Sequence, residues 1–288
     1  MRVLLTGGTG FVGSSVLTAL VAAGHEVIAV VRSDGAAAKV TAAGAKAEVH
    51  ALPDTEWLTG KLRESEGAIH TATPNDDTGA AFDDSVIDAV IAAFAGTDYP
   101  YIHTGGVWVH GNGSDITENT SIHPPQITAW REKREQRILA NDVKASVIEP
   151  GIVYGYGKGI PNMITGAPRS ESGALHLIGT GEQHWATVHV DDLADLYVDV
   201  LERGPGGETY IGASGQSPTV REIAQAFVGP DGALEPESFT ATRERLSTAF
   251  ADALFLDQQA SGEKAKAAFG WNPHRASLVE ELAAERIS

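Results

Sequence analysis

Gly7, Gly10 and Gly13 recur at three-residue spacing, directly after the apolar run Val3-Leu4-Leu5-Thr6 and at the head of a helix-like stretch. Such a turn suits the pyrophosphate of a dinucleotide. Gly7 permits the tight turn, Gly10 lets the backbone approach the phosphates, Gly13 allows close packing of helix on strand, and the helix N-terminus attracts the anion. Thr9, Phe11 and Val12 share this loop. A flexible βα turn produces the same spacing for structural reasons alone, but strand, helix and the next strand at Val27 fall inside the roughly 30 residues of a dinucleotide-binding unit.

The run Val30-Val31-Arg32-Ser33-Asp34 closes the second candidate strand. An acidic residue there takes a ribose 2′-hydroxyl, whereas an arginine takes a 2′-phosphate. Arg32 is placed to pair bidentately with phosphate and Ser33 adds a hydroxyl donor, which favours NADP(H), with NAD(H) as second choice. The other reading is a solvated Arg32 with Asp34 reaching the ribose.

Proton chemistry has fewer candidates. Histidine titrates near neutrality, and His103, His110 and His184 stand near candidate strand ends or loops, with Thr104 beside the first. The chain has no cysteine, which excludes disulfides, thiolate metal sites and a cysteine nucleophile.

These residues need a frame to hold them. Residues 3–6, 27–31, 47–51, 68–71, 101–104 and 145–149 read as strands, with helices over 13–23, 85–95 and 129–141 between them. The alternation predicts an α/β fold, a Rossmann-type doubly wound parallel sheet. The alanine runs 36–38 and 42–45 read as helix filler. After Pro150 the rhythm loosens into glycine-punctuated loops, and a smaller C-terminal substrate lobe is expected. Residues 186–190 and 209–212 read as strands flanking a helix over 191–202, so the chain returns to the core. The expected division is a dinucleotide-binding core over 1–155 with returns near 184–213, and an interleaved lobe from 156–183 and 214–288. Helical segments are expected over 219–227 and 243–255.

The 288-residue chain is long enough for this arrangement, and 42% hydrophobic with 20% charged residues is ordinary for a globular protein. The apolar run 27–31 is far too short to cross a bilayer, and the N-terminus shows no secretory series. A cytoplasmic protein without membrane partners is expected. A net charge of −17 repels phosphate backbones, so nucleic acid is not an expected partner.

With TGGTGFVG at the start, GAIHTAT at 67–73, EPGIVYG at 149–155 and WATVHVDDLA at 185–194, the chain resembles the extended short-chain dehydrogenase/reductases, above all their nucleotide-sugar epimerase/dehydratase branch. The resemblance runs on through Leu256-Asp257 and the FGWNP segment at 269–273. It implies that Ala72 and Thr73 line the cofactor, that Pro150 and Val153 border the nicotinamide, and that His189 and Asp191 are structural. No metal site is implied. The acidic residue that often follows the third strand and contacts adenine in the family is Ala51 here, ahead of Leu52, which leaves the adenine contact open; Leu52 is counted among the cofactor-binding candidates.

The same resemblance implies a tyrosine general acid/base, a lysine four residues later that lowers its pKa, and a hydroxyl that holds the substrate oxygen. Here the match departs. Glycine stands at 105 and 106, leaving Thr104 as the hydroxyl; His110 replaces the aromatic of the family's VYG; and Trp130 and Arg134 replace tyrosine and lysine. A register shifted by one gives Ala129 and Lys133. Trp130 donates but cannot cycle a proton near neutrality, and arginine is a permanent cation. Arg131 and Glu135 read as an exposed i, i+4 ion pair; alternatively Arg131 or Arg134 faces the cofactor ribose or a substrate anion.

The candidate reactive set is therefore Thr104, His110, Trp130, Arg134 and His184, with Tyr154 read as packing. Two functions follow. One is an NAD(P)-dependent oxidoreductase or epimerase/dehydratase-like enzyme on a small carbonyl, alcohol or sugar-like substrate, as a monomer or homodimer. The other is a non-catalytic NADP(H) sensor acting through a protein partner.

Overall fold

The computed structural model describes residues 1–74 and 76–287. The first half alternates strands β1 (Arg2–Thr6), β2 (Glu26–Val31), β3 (Lys46–Val49), β4 (Gly67–His70) and β5 (Pro100–Thr104) with helices α1 (Phe11–Ala22), α2 (Asp34–Ala42), α3 (Thr55–Arg63) and α4 (Gly79–Phe94). A short 3-10 turn (Val107–His110), β6 (Gly113–Ile116), α5 (Arg131–Leu139) and β7 (Lys144–Pro150) follow. Next come β8 (Ile152–Gly155), β9 (Lys158–Gly159), α6 (Asn162–Thr165), β10 (Leu175–His176), β11 (Thr187–His189), α7 (Val190–Arg203) and β12 (Glu208–Gly212). The chain finishes with α8 (Val220–Val228), β13 (Leu234–Glu235), α9 (Phe239–Leu246), α10 (Thr248–Leu254), β14 (Gln258–Ala260), α11 (Glu263–Phe269) and α12 (Leu278–Ile287).

Seven strands form one sheet in the order β12-β7-β5-β4-β1-β2-β3, and every pairing in it is parallel. The strands are apolar on both faces because both faces are covered. Leu17 and Leu20 of α1 and Leu196 and Tyr197 of α7 cover one face, while Leu58 of α3 and Ile87 and Phe94 of α4 cover the other. Each such buried leucine contributes about 1.5–3 kcal/mol relative to exposure. Strand order reverses direction between β1 and β4, which opens a crevice at their carboxyl ends. The register Thr6↔His70, His70↔His103, Thr104↔Ile148 and Ile211↔Glu149 brings these residues to that edge.

The lobe has its own apolar centre of Trp185, Ile223, Leu254 and Leu278. It is interleaved with the sheet domain, but not along the expected boundary. Within 214–288, Ala265 and Phe269 of α11 and Trp271 belong to the main core beside α7, so this segment does not lie wholly in the lobe. The expected helix over 243–255 is broken at Ser247, whose φ of +67° ends α9 and starts α10. Helix α3, absent from the sequence reading, is capped by Asp54, whose carboxylate accepts from the Trp57 amide at 3.0 Å. Such a cap contributes about 1 kcal/mol. Among the described residues, no helix is long and apolar enough to cross a membrane.

Candidate functional site

The glycine loop after β1 sits tight against the exit of β4. Gly7 has φ +79°, and a Cβ there would lie 2.7 Å from the Ala72 nitrogen. A Cβ on Gly13 would lie 2.1 Å from the Gly7 carbonyl, so helix and turn approach more closely than any side chain permits. Gly10 begins α1 with no side-chain cap. The first amides of α1 therefore remain available to an anion. Thr9 and Gly10 are exposed at the loop tip, while Phe11 and Val12 are half-buried behind it.

At the end of β2, Arg32 is exposed and makes no hydrogen bond or ion pair among the described residues. The Ser33 hydroxyl accepts from the Ala36 amide at 3.3 Å and caps α2. Ala72 is half-buried and Thr73 exposed beyond β4, Leu52 packs half-buried on the α3–α4 layer, Pro150 ends β7 buried, and Val153 of β8 packs half-buried on the main core. An uncapped helix start, a cradle closed to any Cβ and an unpartnered guanidinium fit a dinucleotide.

The proton side is arranged differently from the sequence expectation. The Thr104 hydroxyl donates to the His70 carbonyl at 2.6 Å and lies 2.7 Å from the Tyr197 hydroxyl. Its hydrogen is committed here, and Thr104 ties β5 to β4 and α7. His110 is buried, with Nε2 2.8 Å from Glu149 Oε2 and Nδ1 donating to the Thr120 carbonyl at 3.0 Å. Burial opposes the imidazolium, but the Glu149 contact outweighs it and raises the His110 pKa.

Helix α5 presents two faces with different partners. Trp130, just before it, packs near Gly79, and its indole donates to the Ile127 carbonyl at 3.1 Å. Arg134 donates to the Ala80 carbonyl at 3.1 Å and pairs with Asp84, both on α4. Trp130 and Arg134, both expected in the reactive set, here staple α5 to α4. The face toward β5 carries Arg131 and Glu135. The Arg131 guanidinium donates to the Thr104 carbonyl at 2.9 Å and stacks on Trp130, 4.6 Å from its ring centre. Glu135 is only 5% exposed, so the expected exposed ion pair with Arg131 does not form.

Glu135 was not among the sequence candidates, yet it lies closest to the altered motif. Its Oε1 is buried without a hydrogen-bond partner, which costs about 1–3 kcal/mol. A Cβ on Gly105 would lie 2.6 Å from that atom and 3.2 Å from the Glu149 Cγ. The glycine at 105 and the carboxyl of 135 fill one volume between them. Burial, then the charge of Glu149, push the Glu135 pKa up to about 8.

The remaining histidines lie elsewhere. His184 Nδ1 is 2.8 Å from Asp257 Oδ1, and the Asp257 amide donates to Asn112, so His184 belongs to the seam between lobe and core. His103 and His70 flank the buried Asp83, each with Nε2 3.3 Å from a carboxylate oxygen. The His103 Nε2 has no partner in hydrogen-bond geometry, and burial lowers the His103 pKa. Burial alone would raise the Asp83 pKa, but the two histidines hold it below the usual carboxylate range. The Tyr154 hydroxyl donates to the Ala276 carbonyl at 2.8 Å and packs. His189 accepts from the Asp191 amide at 3.1 Å and caps α7.

This combination of parallel sheet, glycine cradle and interleaved lobe is that of the extended short-chain dehydrogenase/reductases. A sequence model of the NAD dependent epimerase/dehydratase family matches residues 3–104. "Uncharacterized protein C2A9.02" of Schizosaccharomyces pombe is 30% identical over 297 residues, covering 99% of each chain. The chain belongs to this family. It is also 28% identical to the 4-hydroxy-2-methyl-3-oxo-4-farnesyl-3,4-dihydroquinoline-1-oxide ketoreductase of Stigmatella aurantiaca, over 81% of this chain and 74% of that one. Among solved structures, the human epimerase family protein SDR39U1 (isoform 2) with NADPH superposes with a TM-score of 0.75 at 19% identity, covering 100% of both chains.

Proposed function

We propose that the protein is an NADP(H)-dependent reductase of a small uncharged carbonyl compound, held between the carboxyl edge of the sheet and the lobe. The observation that carries this reading is the pairing of an uncapped α1 N-terminus with the unpartnered Arg32. The amides take the pyrophosphate and Arg32 takes the 2′-phosphate. When bound, the dinucleotide supplies the hydride. The chain's residues orient it, exclude water and deliver the proton.

An uncharged substrate is supported by the lobe. Trp108, two residues past Gly106, is half-buried against the lobe core and meets Phe250 edge-on at 6.2 Å. Three lobe arginines, Arg221, Arg243 and Arg245, are already paired with Glu182, Asp252 and Glu237. A nucleotide sugar would have to place its diphosphate on cations free of ion pairs among the described residues, such as Arg169 or Lys158, away from Trp108, whereas an apolar ketone needs the aromatic wall. The ketoreductase named among the relatives is in keeping with this class.

The commitment of the Thr104 hydroxyl favours a second reading, a dinucleotide sensor with no turnover. To separate the two, the purified protein is mixed with NADPH and a panel of apolar ketones, aldehydes and a nucleotide sugar, and loss of nicotinamide absorbance is followed. Turnover of apolar ketones is expected. Tight NADPH binding with no turnover on any member would establish the sensor instead.

A further inference from the structure

We propose that the Glu135 carboxyl donates the proton to the substrate oxygen, acting from the place that a side chain on residue 105 would otherwise fill. The assignment rests on the reductase reading above. Its basis is geometric. Oε1 of Glu135 is buried, makes no hydrogen bond, and lies 2.6 Å from the Cβ position of Gly105. Nothing lies within 4 Å of the Cβ position of the next residue, Gly106. Gly106 therefore leaves bare backbone and open space at the exit of β5, and the unpartnered carboxyl lies against its neighbour, the buried Gly105.

A donor must hold its proton until the reaction needs it. The groups around Glu135 are Glu149 on β7, His110 on the 3-10 turn, Arg131 on its own helix and Asp83 on α4. Burial and the Glu149 charge disfavour a second carboxylate, and outweigh the cations of Arg131 and His110. His110 pairs with Glu149 at 2.8 Å and fixes that charge in place. The proton stays on Glu135 at neutral pH. In the reduction, the carbonyl carbon gains a hydride from the reduced dinucleotide, and the C=O π pair moves to oxygen. That oxygen takes the proton from Glu135, which is left as carboxylate and recovers a proton from solvent after the alcohol departs.

The test compares the wild type with Glu135→Gln, Glu135→Asp and Glu149→Gln. Glu135→Gln should bind NADPH within about two-fold of wild type and lose at least about 100-fold in kcat for ketone reduction. Glu135→Asp, which keeps the acid but withdraws it by a methylene, should bind NADPH equally and also lose kcat. Wild-type kcat should fall as pH rises through about 8, and Glu149→Gln should move that fall to lower pH. Independently of turnover, infrared spectra of the dinucleotide-free protein at neutral pH should show a protonated carboxyl. That band should vanish as pH rises through about 8 and be missing in Glu135→Gln. A wild type without the band, or a turning-over wild type matched in kcat by Glu135→Gln, overturns the assignment. A wild type that shows the band, binds NADPH and reduces no ketone overturns the reductase reading and the donor role together.

Discussion

The phase of helix α5 decides which side chains reach the site. Residues four apart share a helix face, so Arg131 and Glu135 face β5 together while Trp130 and Arg134 face α4 together. Burying Glu135 affects stability as well as chemistry. Its folded pKa, pushed up to about 8, lies well above the ordinary glutamate value of about 4.3, so the folded state holds a proton that the unfolded chain releases. Stability from this group is intact below the unfolded pKa and falls as pH rises between those values. Glu135→Gln removes that slope and should melt at a higher temperature than the wild type at pH 8, with a smaller difference at pH 5; thermal melts at pH 5 and pH 8 check this, and an unchanged slope would sink it. In the sequence, Glu135 is one of several alternating charges in REKREQR and reads as a solvated face. The glycines at 105 and 106 were legible as an altered motif, but the side chain that fills the vacated volume depends on where α5 begins, and nothing local in 126–131 fixes that.

In the proposed function, short elements carry the preference for NADP(H). Strand β2 ends at Val31 and α2 starts at Asp34, so Arg32 stands on the two-residue junction with its guanidinium unpartnered. Arg32→Ala should weaken NADPH binding by about 10-fold or more and leave NADH within a few-fold, since a charge-assisted bond to phosphate contributes about 1.5–3 kcal/mol. Fluorescence titration with both dinucleotides measures it, and equal losses for the two would assign Arg32 to another role. At this scale the sequence was informative wherever a strand is buried on both faces, because β-branched runs such as Val27–Val31 have no other good use. It was less so for α3, whose apolar face is narrow and whose start is marked mainly by the Asp54 cap. The break at Ser247 was hidden for another reason: a positive φ on a non-glycine residue is imposed by tertiary packing.

Across the whole molecule, the sheet domain is completed only by late segments. Leu193, Leu196 and Tyr197 of α7, Tyr210 of β12, and Phe269 and Trp271 near the end all belong to the core that β1 and α1 begin. A fragment of residues 1–155 would expose the apolar face that these residues cover. It should show no cooperative thermal transition by near-ultraviolet circular dichroism, whereas the full chain should melt cooperatively; a sharp transition in the fragment would show that the late segments are dispensable. The interleaving was readable from the return of strand-like runs at 186–190 and 209–212. The docking of 263–271 on the main core was not, because a short amphipathic helix carries no label for the surface that it covers.

The shared volume of Gly105 and Glu135 also constrains how such a chain diverges. A serine introduced at 105 alone would press its Cβ to 2.6 Å from the Glu135 carboxyl. A small residue at 135 alone would leave a void beside two buried charged groups, Glu149 and His110. Each single step is penalised, while the double replacement removes the 2.6 Å contact and leaves only the 3.2 Å approach to the Glu149 Cγ to be relieved. Positions 105 and 135 should therefore exchange as a unit among diverging descendants, and a mutational path between the two kinds of site has to cross a valley rather than a slope.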